Sequence, residues 1–210
     1  MRIQPIVEGH GEVEALPILL RRLLHAAGVF AVEIGRPIRR GRGQLLRDDL
    51  LEKVIRIAFM QQGCTSVLIM LDADDDCPKE LKERMESCTG KIATDIPCKI
   101  VIPKCEYEAW FLSSLESLRG KQRINMDASS PDNPESIRNA KDVLSKTMPP
   151  ETSYWETIDQ AKLSASFDMG QAYRKCRSFK HLVSALGELL QEMGIAVDNW
   201  PPEEWKRTSK

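Results

Sequence analysis

Apolar and polar positions follow one another in blocks along this chain, and the blocks predict strands alternating with helices. Arg2 to Val7 is a short, mostly apolar segment, followed by the turn Glu8-Gly9-His10-Gly11-Glu12. Val13, Leu16, Leu19, Leu20, Leu23, Leu24 and Ala27 then recur with helical spacing until Gly28 stops them. This reads as strand, glycine turn and helix, with Pro17 requiring either a late helix start or a kink. Val29 to Ile34 predicts a second strand. Leu45 to Phe59 predicts an amphipathic helix with Leu46, Leu50, Val54, Ile57 and Ala58 as its buried stripe, ended by Gly63. Val67-Leu68-Ile69-Met70-Leu71 is apolar without alternation, which suits a strand covered on both faces. A polar helix from Pro78 to Cys88, a strand within 97–102 and a helix over 104–112 complete a β-α-β-α-β-α-β-α order. In that last helix Trp110, Phe111 and nearby Leu115 are candidate core residues.

The order predicts an α/β fold with a mainly parallel sheet and helices on both faces, over residues 1–118. From Arg119 the texture changes, and no further strand is predicted. Loops at 127–134 and 148–151 separate helices expected over 136–146, 157–166 and 178–193, a C-terminal helical extension (119–210) packed on the core. In the last helix Leu182, Leu186, Leu189, Leu190 and Met193 share one side. The tail, with Trp200 and Trp205, is expected to fold back by its tryptophans and to fray at its end.

Composition removes several classes of function. A length of 210 residues fits one domain or a core with an extension, and 42% hydrophobic with 29% charged residues is ordinary for a globular protein. A net charge of -1 confines any nucleic-acid contact to a local patch. Six cysteines without a CxxC pair and three scattered histidines argue against structural zinc. Met1 to Val7 does not read as a signal peptide and no segment reaches membrane-spanning length, so a cytoplasmic location with free thiols is expected.

The chemistry gathers where predicted strands end. Leu71 is followed by Asp72-Ala73-Asp74-Asp75-Asp76. In extended chain Asp72 and Asp74 point to one side, and neighbouring carboxylates repel unless a proton or a hard cation intervenes. The plainer alternative is an acidic loop capping the next helix. Glu8 leaves the first strand, Glu12 opens the first helix, where it also complements the dipole, and Glu108 sits in the first turns after the fourth predicted strand. Ligand sites of such sheets lie beyond the carboxyl ends of the strands. No P-loop or GxGxxG is present. Arg36, Arg39, Arg40, Arg42 and Arg47 fall on a loop without acids, suited either to solvent or to a phosphate backbone.

Glu8-Gly9 followed by Leu71-Asp72-Ala73-Asp74 resembles the TOPRIM domain of topoisomerases, bacterial primases and nucleases of the overcoming-lysogenization-defect type. VEGHGEVEALPILLRRLL, LDADDDCP and EYEAWFL, in that order and with DQAKLSASFD and SFKHLV beyond them, resemble the TOPRIM-like domain-of-unknown-function family 4276. That resemblance implies a Rossmann-like TOPRIM sheet binding Mg2+ or Mn2+ through Glu8, Asp72, Asp74 and Glu108. It makes Glu12 the match for a second glutamate of the nuclease branch, and Lys162 or Lys141 a candidate for stabilising transition-state charge. The chain is too short for a topoisomerase's gate domain and lacks a primase's zinc ribbon. Nuclease-like phosphodiester hydrolysis of DNA or RNA is therefore the activity implied, with a separate ATPase as a possible partner. A catalytically silent interaction module, or an enzyme acting on a small nucleotide, are the alternatives.

Overall fold

The computed structural model describes residues 1–92 and 95–207. Its sheet has five strands among the described residues, and each of the strand pairs is parallel. β1 (Arg2–Val7) is central; β2 (Glu33–Ile34) and β3 (Ile38–Arg39) lie along one edge of it, β4 (Cys64–Met70) along the other, with β5 (Cys98–Val101) outside β4. The class is α/β, with helices on both faces.

The second strand expected over 29–34 is only two residues long, and the arginine loop conceals β3. Both pair with β1, through Ile3 with Ile34 and Ile6 with Ile38, so they are one edge interrupted at Gly35-Arg36-Pro37. Gln4 fills the break by donating to the Arg36 carbonyl at 2.7 Å. A Cβ on Gly35 would stand 2.3 Å from the Gln4 amide oxygen, so only glycine allows this approach.

The apolar run of β4 divides between two layers, as strand alternation requires. Val67, Ile69 and Leu71 join Ile6 against α3 (Asp48–Phe59) and α4 (Pro78–Thr89). Leu68 and Met70 join Ile3 and Val7 against α1 (Glu12–Ala26) and the C-terminal helices. α1 starts at Glu12, so Pro17 is its sixth residue rather than an early one, and the Val13 carbonyl loses its helical donor. A separate turn, α2 (Arg42–Leu45), precedes α3, whose buried stripe is Leu51, Val54, Ile55 and Ala58. Of the predicted stripe Val54 and Ala58 are buried, Leu46 and Leu50 are half-buried and Ile57 is 40% exposed, while Leu51 and Ile55 were missed. The later start brings Asp48 and Asp49 into the first turn, where they complement the helix dipole.

Instead of one helix over 104–112, the chain makes two short turns, α5 (Ala109–Leu112) and α6 (Leu115–Leu118). α7 (Ala140–Lys146), α8 (Glu156–Ser164), α9 (Met169–Lys175), α10 (Arg177–Glu192) and α11 (Glu203–Lys206) follow. α9 was not anticipated; Asp168 caps it by accepting from the Gln171 N–H at 2.9 Å. These helices share one apolar cluster with α1 and the sheet, in which Trp110, Phe111, Phe167 and Phe179 meet edge to face. Trp200 donates to the Val183 carbonyl at 2.9 Å and meets the Trp205 ring, so the tail does fold back. The expected fraying at 208–210 lies outside the described residues. No helix among them is long and apolar enough to cross a membrane.

Candidate active site

Val7 and Met70 are paired neighbours at the carboxyl ends of β1 and β4, so the segments beginning at Glu8 and Leu71 leave the sheet side by side. Glu108 follows β5 and stands at the N-terminal boundary of α5. Beyond these strand ends lies a crevice of about 290 Å³, lined among others by Glu8, Glu12, Asp72, Asp74, Lys141 and Gln160. A larger groove of about 520 Å³, between α10 and the tail, takes no residue from the strand ends.

The far wall of the crevice comes from the extension. α8 packs on the start of α1, and Gly11 makes that possible: a Cβ there would stand 2.3 Å from the Gln160 amide oxygen and 2.7 Å from the Glu156 carbonyl. Gln160 and the distant Tyr154 then reach Glu108, which is wholly buried. Its Oε1 accepts from the Tyr154 hydroxyl at 2.7 Å and from Gln160 Nε2 at 3.2 Å. Its Oε2 has no donor among the described residues. Asp72 Oδ1 and Gln160 Oε1 are also shielded from solvent and without a hydrogen-bond partner among the described residues. Asp72 as a whole is only half-buried, but this oxygen is out of reach of water. Buried oxygens without donors are costly, and the two carboxylate oxygens, on Asp72 at the crevice and on Glu108 behind it, are an unmet demand for a proton or a cation.

The other acids are partnered. Glu12 Oε2 accepts from the N–H groups of Glu8 at 3.1 Å and Gly9 at 3.0 Å, so this buried side chain holds the β1–α1 turn. Asp72 and Asp74 both line the crevice, but not through strand alternation. β4 has ended, Asp74 is left-handed at φ 50°, and its exposed side chain pairs with Arg42 at 3.3 Å. The Arg42 guanidinium also donates to the carbonyls of Asp72 at 2.6 Å and Ala73 at 3.3 Å, pairs with Asp76, and lies 3.8 Å from Glu8.

Burial pushes Glu12 up to about 8, opposed by the Gly9 N–H and assisted by the Glu108 and Glu8 charges. Burial likewise raises Glu108 to about 7 against the Lys141 charge, and lifts Asp72 well above the carboxylate range with Glu12 and Glu108 adding to it. Glu8 is raised by burial, with Arg42 opposing and Asp74 reinforcing. Burial alone would lower Lys141, but the carboxylates of Glu108, Glu156 and Asp72 outweigh it and hold the ammonium protonated. Its Nζ lies 2.7 Å from Glu156.

The model of the family described as Domain of unknown function (DUF4276) matches residues 7–187. The chain belongs to this family. The match begins at the last residue of β1 and ends within α10, so the DUF4276 region takes in the crevice and both of its walls. No curated protein and no solved structure matches the chain.

Within the DUF4276 region the structure gathers Glu8, Glu12, Asp72, Asp74 and Glu108 at one end of the sheet. Of the arginines, Arg42 turns into the acids, and Arg39 sits at the lip, 3.5 Å from the Glu8 carbonyl. Arg36 is exposed, and Arg40 bonds its neighbour's carbonyl. Lys162 does not line the crevice; it faces a second cleft across α8, and Lys141 is the lysine at the acids. Tyr154 and Gln160 were not anticipated. Gln160 left a trace in the sequence, a polar side chain on the face of α8 that also carries Leu163 and Ser164.

Hard oxygen donors without hydrogen-bond partners suit Mg2+ or Mn2+ in kind. They are not gathered into a cage: among the described residues no three His, Cys, Asp or Glu side chains form a ready ligand group. The third buried oxygen without a partner among the described residues is the Gln160 amide oxygen.

Proposed function

We propose that this crevice binds Mg2+ or Mn2+ and hydrolyses phosphodiester bonds of nucleic acid, in the manner of TOPRIM nucleases. One observation carries the reading: at the carboxyl ends of a parallel sheet, Asp72 Oδ1 and Gln160 Oε1, from residues that line the crevice, and Oε2 of Glu108, which Gln160 bonds from behind it, are buried and without donors among the described residues. These three residues would hold the cation, with Glu8 and Asp74 toward the mouth. A bound divalent ion supplies charge stabilisation at the phosphate and a more acidic water. Glu8, raised by burial, is the group suited to accept a proton. Lys141 keeps a fixed positive charge on the wall, and Arg39 offers a phosphate contact at the lip. A separate ATPase partner that presents the substrate belongs to the same reading.

One observation favours a second reading. Arg42 already lies among Glu8, Asp74 and Asp76 as a countercharge, which suits a catalytically silent interaction module. Nicking of plasmid DNA in Mn2+ separates the two. Under the hydrolytic reading Glu8→Gln lowers the rate by at least 100-fold, in the range for a lost acid–base group. Glu12→Gln, which keeps an oxygen for the Glu8 and Gly9 N–H groups, lowers it far less. Nicking that survives Asp72→Asn with Glu108→Gln would exclude this site as its source.

A further inference from the structure

α8 divides two clefts, and its sequence gives each a different character. Glu156 and Gln160 face the acidic crevice, with Leu163 and Ser164 buried on the same side. Trp155, Ile158 and Lys162, spaced by three and four residues, share another face. That face lines a cleft of about 430 Å³ with Gln122 and Arg123. Trp155 is 61% exposed and Ile158 is 51% exposed, an indole and an aliphatic side chain set one turn apart in solvent.

This surface is pinned in place. The carboxylate of Asp159, 2% exposed, accepts from the Trp155 backbone N–H at 2.9 Å and from Arg123 at 2.6 Å. Gln122 and Arg123 are consecutive left-handed residues, at φ 47° and 69°, a conformation that costs energy and persists only where its surroundings impose it. Asp159 neutralises Arg123, while Lys162 is exposed and has no ion pair among the described residues. The cleft therefore offers a rigid aromatic face, an aliphatic neighbour and a free cation, one residue along the chain from the wall of the acidic crevice.

Extending the hydrolytic reading, on whose nucleic-acid substrate it rests, we propose that Trp155, Ile158 and Lys162 form a stacking platform for an unpaired base of single-stranded nucleic acid. The phosphodiester chain of that strand passes over the N-terminus of α8 into the crevice. An indole face takes any base without reading its edge, and an ammonium follows the backbone charge. Bases inside a duplex are stacked on one another and cannot reach the indole, so the platform selects single strands.

The test is fluorescence anisotropy of labelled oligo-dT, oligo-U and a duplex of equal length, in EDTA so that nothing is cut. The wild-type chain should bind single strands more tightly than duplex, and the dT and U arms show which sugar is preferred. Trp155→Ala should weaken single-strand binding about tenfold, within the range for one lost stack. Trp155→Phe should retain most of it, and Lys162→Ala should reduce the log–log salt slope by about 0.7. Equal binding of strand and duplex, no binding by the wild type, or unchanged affinity in Trp155→Ala would overturn the proposal; the last would hand this face to a protein partner. Because binding is read without metal, it stands or falls independently of the nicking assay.

Discussion

The extension and the strand ends both bury acids, and they treat them differently. Glu135 is 7% exposed, and its two oxygens accept from the N–H groups of Arg177 at 2.7 Å and Ser178 at 2.8 Å, capping α10. Asp159 is bonded by Arg123 and the Trp155 N–H. Glu108 is more deeply buried than either, yet one of its oxygens and one of Asp72's have no donor among the described residues. A buried acid by itself is therefore no sign of function, since folding uses some as caps and ties. What separates the crevice is unmet hydrogen-bonding capacity beside other acids.

The largest contrast should appear on removing the caps. Glu135→Ala leaves the part-buried Arg177 N–H and the buried Ser178 N–H at the start of α10 without acceptors, at a cost of about 3 kcal/mol. Urea denaturation would read this as a lower midpoint with an unchanged slope, and the response to metal should be the same as wild type. A loss below about 1 kcal/mol would show that water replaces the cap.

The next effect is a pH dependence confined to the strand ends. Glu12 and Glu108 titrate near 8 and 7 in the folded chain, above their ordinary 4.5. The native state thus holds protons that the unfolded chain gives up. Their contribution is complete below about pH 4.5 and is lost progressively as pH rises from there through the folded values of about 7 and 8, by several kcal/mol. Metal-free melting temperatures should fall across that window, and Glu12→Gln should flatten the fall. A flat wild-type profile would mean these carboxyls are solvated.

A smaller effect is expected at Arg42. Its ion pairs are partly exposed, so Arg42→Ala should cost within about 1 kcal/mol. If the guanidinium competes with a cation for Glu8 and Asp74, the variant should bind Mn2+ several-fold more tightly by calorimetry. Weaker binding would make Arg42 a support of the site instead.

Much of this contrast was legible in the sequence. An apolar run ending in acids marks a strand exit, which placed Glu8, Asp72 and Asp74 together, and Glu108 followed from the next strand. The parallel sheet came from strands alternating with helices, and its cover on both faces from the unbroken apolar run of β4; the order of the strands was not predicted. The contacts of Gln160 and Tyr154 with Glu108 were not legible, because they form only when α8 packs against Gly11, a contact between distant segments that periodicity does not encode. Arg42 read as solvent-facing or phosphate-binding, and its turn into the acids was hidden because they lie about thirty residues away. β3 was hidden by its arginines and by the break at Gly35 to Pro37, where a side chain, Gln4, takes over the backbone's pairing.

Thermal melting in millimolar Mg2+ or Mn2+ compares the wild type directly with the Asp72→Asn, Glu108→Gln double variant. A cation that fills the orphaned oxygens at about 100 times its dissociation constant adds about 2.7 kcal/mol. For a chain of this size that is a rise of roughly 5 to 10 °C, saturating with metal and reversed by EDTA. At a pH high enough to ionise Glu108 and Asp72, the double variant should melt higher than wild type without metal, because two buried charges are gone, and it should show no rise with metal. A wild type indifferent to both ions, or a double variant that responds equally, would contradict a cation site at the strand ends.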